Sequence, residues 1–184
     1  MKNGILLTIA AAIGLIAALG GIMLFQASDL DRIHTGIEAR YDTVEHVSAE
    51  DFSMLDPDQV VLFDVREKDE YAVSHLPGAI LVDPAMAEED FAQAFADELK
   101  GKRAVFYCSV GMRSSILADR VATTVEQETG RQPANLIGGL FRWHNDDRVI
   151  VSAVGKKTDA IHPFDDHWGR LIEDEKAISY LPID

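Results

Sequence analysis

Two kinds of hydrophobic pattern run along this chain. From Ile5 to Phe25 nearly every position is apolar, and no charge occurs between Lys2 and Asp29. Those 21 residues would span about 31 Å as an α-helix, the thickness of a bilayer's hydrocarbon core. The pattern predicts a transmembrane anchor over residues 4–26. A cleaved signal peptide needs a shorter run followed by a small-x-small site. Ala18-Leu19-Gly20 has that form but lies inside the run, so span length favours the anchor over a cleaved signal or a buried soluble helix. Residues 27–43 are polar and mixed, as a juxtamembrane linker or a short helix would be.

From Val44 the pattern changes to short apolar runs alternating with helical spacing. Ser48 is placed to cap a helix carrying Phe52 and Leu55. Val60-Val61-Leu62-Phe63 is a continuous apolar run of strand length, expected of a parallel strand covered on both faces. Glu67 to Ser74 predicts a short helix stopped before Pro77-Gly78, and Ile80-Leu81-Val82 a further strand. Asp83 and Pro84 read as cap and first residue of a helix presenting Phe91, Phe95 and Leu99 on one face, ended by Gly101. Ala104 to Tyr107 is the next strand. A helix from Ser114 comes next, with Leu117, Val121 and Val125 on one face and Gly130 at its end. Asn135-Leu136-Ile137 closes the series before Gly138-Gly139. Strands alternating with helices at this spacing define an open, mainly parallel α/β sheet flanked by helices. The domain is expected over residues 44–148, with 149–184 as a carboxyl-terminal extension.

Charge narrows the partners. The chain has a formal net charge of −14 over 184 residues, and Lys2 is the one charge before Asp29, so the acidic excess lies wholly in the remainder. Such a surface repels nucleic acid and anionic headgroups; no nucleic-acid partner is expected. Lys2 before the apolar span and Asp29 and Asp31 after it lean towards a cytoplasmic amino terminus and an extracytoplasmic domain, with Arg32 weakening the signal. With 1 cysteine, an internal disulfide is impossible, and the compartment cannot be read from bridges.

That cysteine sits in the most informative segment, Tyr107-Cys108-Ser109-Val110-Gly111-Met112-Arg113-Ser114. A strand delivers Cys108 to the carboxyl edge of the sheet, where ligands bind in such folds. Successive backbone N–H groups of a tight loop leading into a helix form an anion cradle, strengthened by the helix dipole. The same field favours the thiolate, which is the nucleophile. Arg113 adds a forked cation suited to an oxyanion. A lone cysteine is more often a small buried apolar residue, but the loop and the arginine weigh against that reading here.

At these residues the sequence resembles the rhodanese-like family. Cys108-x-x-Gly111-x-Arg113-Ser114 is similar to its active-site loop. Leu62-Phe63-Asp64-Val65-Arg66-Glu67-x-x-Glu70-Tyr71, followed by His75-Leu76-Pro77-Gly78-Ala79-Ile80, is similar to its amino-terminal signature. Leu136-Ile137-Gly138-Gly139 with Trp143 is similar to its closing segment. The resemblance implies a sulfurtransferase without a cofactor. Cys108 would take sulfane sulfur from a small-molecule or protein donor, hold it as a persulfide and pass it to a thiophilic acceptor. Ser109, Val110, Gly111, Met112 and Arg113 would form the substrate-binding loop. Asp64 and Arg66 read first as a charge pair fixing loop geometry and second as substrate contacts. His75 reads as structural.

The same resemblance leaves two alternatives. A binding or sulfur-relay module would use the fold with little turnover. A phosphatase or arsenate reductase would need room for a tetrahedral oxyanion, yet the four residues from Ser109 to Met112 make a loop one residue shorter than those enzymes carry. Because Ser109, Val110 and Met112 are uncharged, the loop lacks the extra basic side chains of an efficient thiosulfate user, and a persulfide donor is open beside thiosulfate. Towards the carboxyl terminus, His162, Asp165, Asp166 and His167 cluster without the spacing of a metal motif. No metal is expected, and Trp168, Leu171 and Ile172 are left either to pack on the domain or to form a partner surface.

Overall fold

The computed structural model describes residues 28–183. The anchor expected over residues 4–26 lies outside the described residues, and among those described no helix is long and apolar enough to cross a membrane.

Five parallel strands form the main sheet: β1 (Glu45–Val47), β2 (Val60–Asp64), β3 (Ile80–Leu81), β4 (Arg103–Tyr107) and β5 (Ala134–Leu136), in the order β1-β5-β4-β2-β3. β4 lies centrally, paired with β2 and β5, and its alternation divides the core. Val105 and Tyr107 enter one apolar cluster with Leu62, Leu136, Leu140 and Phe141; Ala104 and Phe106 enter the other with Val61, Phe63, Phe91 and Leu117. Burial on both faces explains why these strands read as continuous apolar runs rather than alternating ones.

The helices are α1 (Asp29–Glu38), α2 (Ala49–Ser53), α3 (Lys68–Val73), α4 (Glu88–Leu99), α5 (Met112–Arg120), α6 (Ala122–Thr129), α7 (Gly139–Asn145) and α8 (Asp166–Gly169), with 3₁₀ turns at Pro57–Gln59 and Glu175–Ala177. Several departures from expectation have local causes. Of the two readings of residues 27–43, linker or short helix, the structure shows a helix over Asp29–Glu38. Ser28 caps α1 in a reciprocal box with Asp31, and Leu30 and Ile37, two turns apart, are buried in the core. α2 ends at Ser53, leaving Leu55 beyond it, although Ser48 does cap it by accepting from the Asp51 N–H. Asp83 and Pro84 do not start α4. The Asp83 carboxylate accepts from the Ala85 N–H at 2.7 Å, which closes a local turn. The helix begins at Glu88 behind an N-cap, Ala87, that has no side-chain bond. Three acids in its first turn, Glu88, Glu89 and Asp90, face the positive end of the helix dipole. The single helix expected from Ser114 starts instead at Met112 and breaks at Val121 (φ −101°, ψ 11°). Val121, Thr123, Thr124 and Val125 are all β-branched there, which weakens helical continuity.

The extension is part of the same body. β6 (Ile150–Val151) and β7 (Lys157–Thr158) form an antiparallel pair, and Val151 exchanges both backbone hydrogen bonds with His75 at 2.9 Å each. Ile161, Ile172 and Ala177 are buried in the cluster that holds Tyr107 and Phe141. Trp168 and Leu171 pack against it.

Because Ile37 is almost fully enclosed, Ile37→Ala should cost about 2–4 kcal/mol of stability, read as a lower urea midpoint at unchanged slope. An unchanged midpoint would return α1 to the status of a linker.

Candidate active site

The Cys108 loop is built by three backbone constraints. β4 ends at Tyr107 and delivers Cys108 to the carboxyl edge of the sheet, flanked by β2 and β5. Gly111 turns the chain with φ 99°, which a side chain would resist, and it is the N-cap of α5. Gly139, with φ 56°, lets α7 dock on the loop: a Cβ there would lie 2.3 Å from the Cys108 carbonyl oxygen. At that approach the Leu140 N–H donates to the Cys108 carbonyl (2.8 Å) and the Phe141 N–H to the Ser109 carbonyl (2.9 Å).

With the Cys108 and Ser109 carbonyls taken up by α7, the loop turns an amide towards sulfur: the Gly111 N–H donates to Cys108 Sγ at 3.2 Å. The first-turn N–H groups of α5 have no acceptors within their own helix and add to this donor-rich end. Ser115 ties the turn down by donating to the Gly111 carbonyl (2.8 Å), and Ser114 donates to Asn135 Oδ1 of β5 (2.6 Å). Cys108 is 1% exposed, at the bottom of a small mouth of about 150 Å³ lined by Ser109, Val110, Met112, Arg113, Phe164 and Trp168.

Arg113 is not a free cation. Its two terminal nitrogens donate to Glu70 at 2.6 and 2.9 Å, and Nη2 also donates to Ser109 Oγ at 2.9 Å. Ser109 Oγ in turn donates to Glu70 at 2.9 Å, so the triad is closed. Burial alone would raise the Glu70 carboxyl, but hydrogen bonding and charge from Arg113, with the Arg66 charge and the Glu67 N–H, hold it below its ordinary value. The sequence gives Glu70 no role. A buried arginine needs an acid, which points to the Glu67–Glu70 region without choosing among its members.

Asp64 and Arg66 form a fully buried pair, with Arg66 donating to both carboxylate oxygens (2.9 and 2.6 Å) and to the Ser74 carbonyl (2.6 Å). Tyr107 donates its hydroxyl to Asp64 (2.6 Å) and accepts the Leu76 N–H (3.0 Å). Burial, reinforced by the Asp64 charge, pushes this phenol well above its ordinary pKa, so it stays a donor. Neither Asp64 nor Arg66 lines the Cys108 mouth; their contacts fix the end of β2 against the turn at Leu76. His75 stacks on Tyr71 with ring centroids 3.8 Å apart and bonds the Tyr71 carbonyl through Nδ1 (3.1 Å). Of the carboxyl-terminal cluster, His162 accepts the Phe164 N–H, Asp165 caps α8, and His167 meets Arg170. Phe164 and Trp168, from a segment distant in sequence, are the mouth residues that sequence reasoning does not connect with Cys108.

A parallel α/β sheet with a cysteine at the end of its central strand, and a short amide-lined loop entering a helix, defines the class. The family model for the rhodanese-like domain matches residues 50–146, and the chain belongs to that family. Two curated relatives are similar to it. Both are named tRNA uridine(34) hydroxylase: that of Bacillus velezensis is 27% identical over 122 residues, and that of Oceanobacillus iheyensis 28% over 121. Each match covers 64% of this chain and 36% of the relative, so the chain spans little more than a third of their length. Among solved structures, a thiosulfate sulfurtransferase from Pseudomonas aeruginosa shares the fold, with a TM-score of 0.51 and 21% identity over 76% of this chain and 25% of that one.

Replacing Glu70 by alanine should cost about 3 kcal/mol of stability at neutral pH, since it leaves Arg113 without its counter-ion. The sign with pH is set by the lowered carboxyl. The stabilisation is complete above the ordinary value of 4.5 and is lost as pH falls through the lower folded value. Denaturant midpoints of the two proteins should therefore converge as pH drops below about 4.5. A gap that persists undiminished in acid would remove the ion pair as its source.

Proposed function

We propose that this domain is a sulfurtransferase that carries sulfane sulfur as a persulfide on Cys108. The observation that carries the reading is the Gly111 N–H, 3.2 Å from Sγ, in a loop whose Cys108, Ser109 and Gly111 carbonyls are bonded elsewhere. An amide so placed is a fixed donor to the sulfur at which the transferred atom would be held. In the first half-reaction the Cys108 thiolate attacks the outer sulfur of the donor. The donor's sulfur bond breaks, and the leaving group, sulfite from thiosulfate or a thiolate from a persulfide, departs with the electron pair. In the second half-reaction a thiophilic acceptor attacks the outer sulfur and Cys108 leaves as thiolate. No cofactor takes part.

A four-residue span from Ser109 to Met112 favours a single added sulfur over a phosphoryl or arsenate group, whose three oxygens each need a donor. One observation favours a second reading, a relay module with little turnover: Arg113 is neutralised by Glu70, so no uncompensated cation draws in an anionic donor. A tRNA substrate is not carried over from the relatives so named, because an acidic excess of this size opposes a polyanion.

We place the domain outside the cytoplasm, on an anchor formed by residues 4–26, from the apolar length of that run and the charges around it. The labelling test uses a membrane-impermeant thiol reagent on intact cells, with any outer membrane permeabilised. Cys108 should react before the inner membrane is broken; reaction only afterwards, with denatured protein as reactivity control, would put the domain in the cytoplasm.

The sulfur-carrier reading is tested by mass. Incubation with a sulfane donor should add about 32 Da, one sulfur atom, at Cys108. Cys108→Ser should lose the adduct and all turnover while keeping its melting temperature, since the replacement is nearly isosteric. Turnover by the serine variant would end the mechanism. Adduct formation without multiple turnover would select the relay module.

A further inference from the structure

The mouth over Cys108 has walls of two origins. Val110 and Met112 belong to the loop, whereas Phe164 and Trp168 come from beyond residue 146, where the family match ends. Phe164 has φ 69°, a left-handed conformation that bulky side chains rarely adopt. Two contacts pin it. Its N–H donates to His162 Nδ1 at 3.0 Å, and its ring lies beneath the Arg113 guanidinium, 4.8 Å from centroid to Cζ. Such backbone strain persists only where the surroundings over-determine it, and it gathers at ligand clamps. Phe164 as a residue is also 44% exposed, so it is not held there to fill the core. Trp168 stands beside it, packed at its base against the core. Four apolar side chains therefore frame the approach to Sγ, and the one guanidinium among them is already paired with Glu70.

A thiosulfate dianion entering this mouth would lose water and gain no uncompensated positive charge, which is unfavourable. A donor with an apolar body would gain dispersion and aromatic contact from the same walls. We propose that Phe164 and Trp168 are specificity-determining residues, making the mouth select donors that present an apolar body behind the sulfane sulfur, organic persulfides and thiosulfonates, over thiosulfate. The proposal rests on Cys108 as the sulfur carrier. For a thiosulfonate the step balances without a further reagent. The Cys108 thiolate attacks the terminal sulfur, an Sγ–S bond forms, the S–SO2 bond breaks, and the sulfinate leaves with the electron pair. The negative charge then rests on the outer sulfur of the persulfide.

The test uses the full-length chain with benzenethiosulfonate and thiosulfate as donors and cyanide as acceptor. The wild-type protein should prefer benzenethiosulfonate in kcat/KM. Phe164→Ala and Trp168→Ala should each lower that preference about tenfold, and Phe164→Leu should restore most of it. A preference unchanged in Phe164→Ala would overturn the proposal. That variant decides alone if Trp168→Ala lowers the melting temperature. Failure of the underlying reading is told apart by a parallel measurement. The sole cysteine is labelled with neutral benzyl methanethiosulfonate and with anionic 2-sulfonatoethyl methanethiosulfonate. If neither donor adds sulfur to Cys108, the carrier reading falls, and the ratio of labelling rates then decides the mouth. A ratio about tenfold smaller in Phe164→Ala supports selection by the aromatic wall; an equal ratio refutes it.

Discussion

Gly139 meets the backbone of the cysteine loop more closely than any residue with a side chain could, and much of the site hangs on that contact. An added Cβ would fall 2.3 Å from the Cys108 oxygen and 2.8 Å from the Ser109 carbonyl carbon. The closeness lets Leu140 and Phe141 take the two loop carbonyls, which turns oxygen away from sulfur and leaves an amide to meet it. It also fixes where α7 begins. From α7, Asn145 donates to the Leu171 carbonyl (2.8 Å) and accepts the Glu173 N–H (3.1 Å). The carboxyl-terminal segment is thereby tethered to the same helix that clamps the loop. One backbone contact thus positions both the floor of the mouth and, through Asn145, the segment carrying its aromatic wall.

Electrostatics around the sulfur are arranged by pairing rather than by accumulation of charge. Arg66 and Arg113 both stand near the end of the sheet, and each has a carboxylate at hydrogen-bonding distance. Buried pairs of this kind contribute little net stability against apolar replacements, because desolvation offsets the attraction, but breaking one is costly. Their value here is orientation. Asp64, Arg66 and Tyr107 lock the turn at Leu76 to β2 and β4, and Glu70, Ser109 and Arg113 lock α3 to the loop. The donor that meets Sγ is the Gly111 backbone amide, whose dipole is fixed and carries no counter-ion of its own.

Much of the sheet is legible in the sequence because β2 and β4 are covered on both faces, and doubly buried strands leave continuous apolar runs. β1 is not so marked: Glu45 and His46 are not apolar, and only Val47 is fully enclosed. α1 hides for a related reason. It touches the core with two residues two turns apart, Leu30 and Ile37, in an otherwise polar stretch. The loop is readable because cysteine, glycine and arginine stand within six positions. The role of Arg113 is not, because its partner Glu70 lies 43 residues away and three acids stand close together there. The Phe164 contact lacks even that much signal, since nothing near it in sequence marks a residue that reaches Cys108.

The family resemblance and the site do not share a boundary. The match stops at residue 146, yet Ile161, Ile172 and Ala177 are buried in the same cluster as Tyr107 and Phe141, and Phe164 and Trp168 line the mouth. Residues before that boundary supply Cys108, the loop amide that meets its sulfur and the paired charges. Residues beyond it add the aromatic side of the mouth over Sγ, opposite Val110 and Met112 of the loop. A fold of this kind separates the two tasks along the chain: the strand-loop-helix unit is constrained by backbone geometry, where Gly111 and Gly139 leave little freedom. The extension meets the domain through side chains, where apolar volume can change at smaller cost. If Cys108 carries sulfur as proposed, donor preference is expected to vary with residues 149–184 while the chemistry at Cys108 stays fixed.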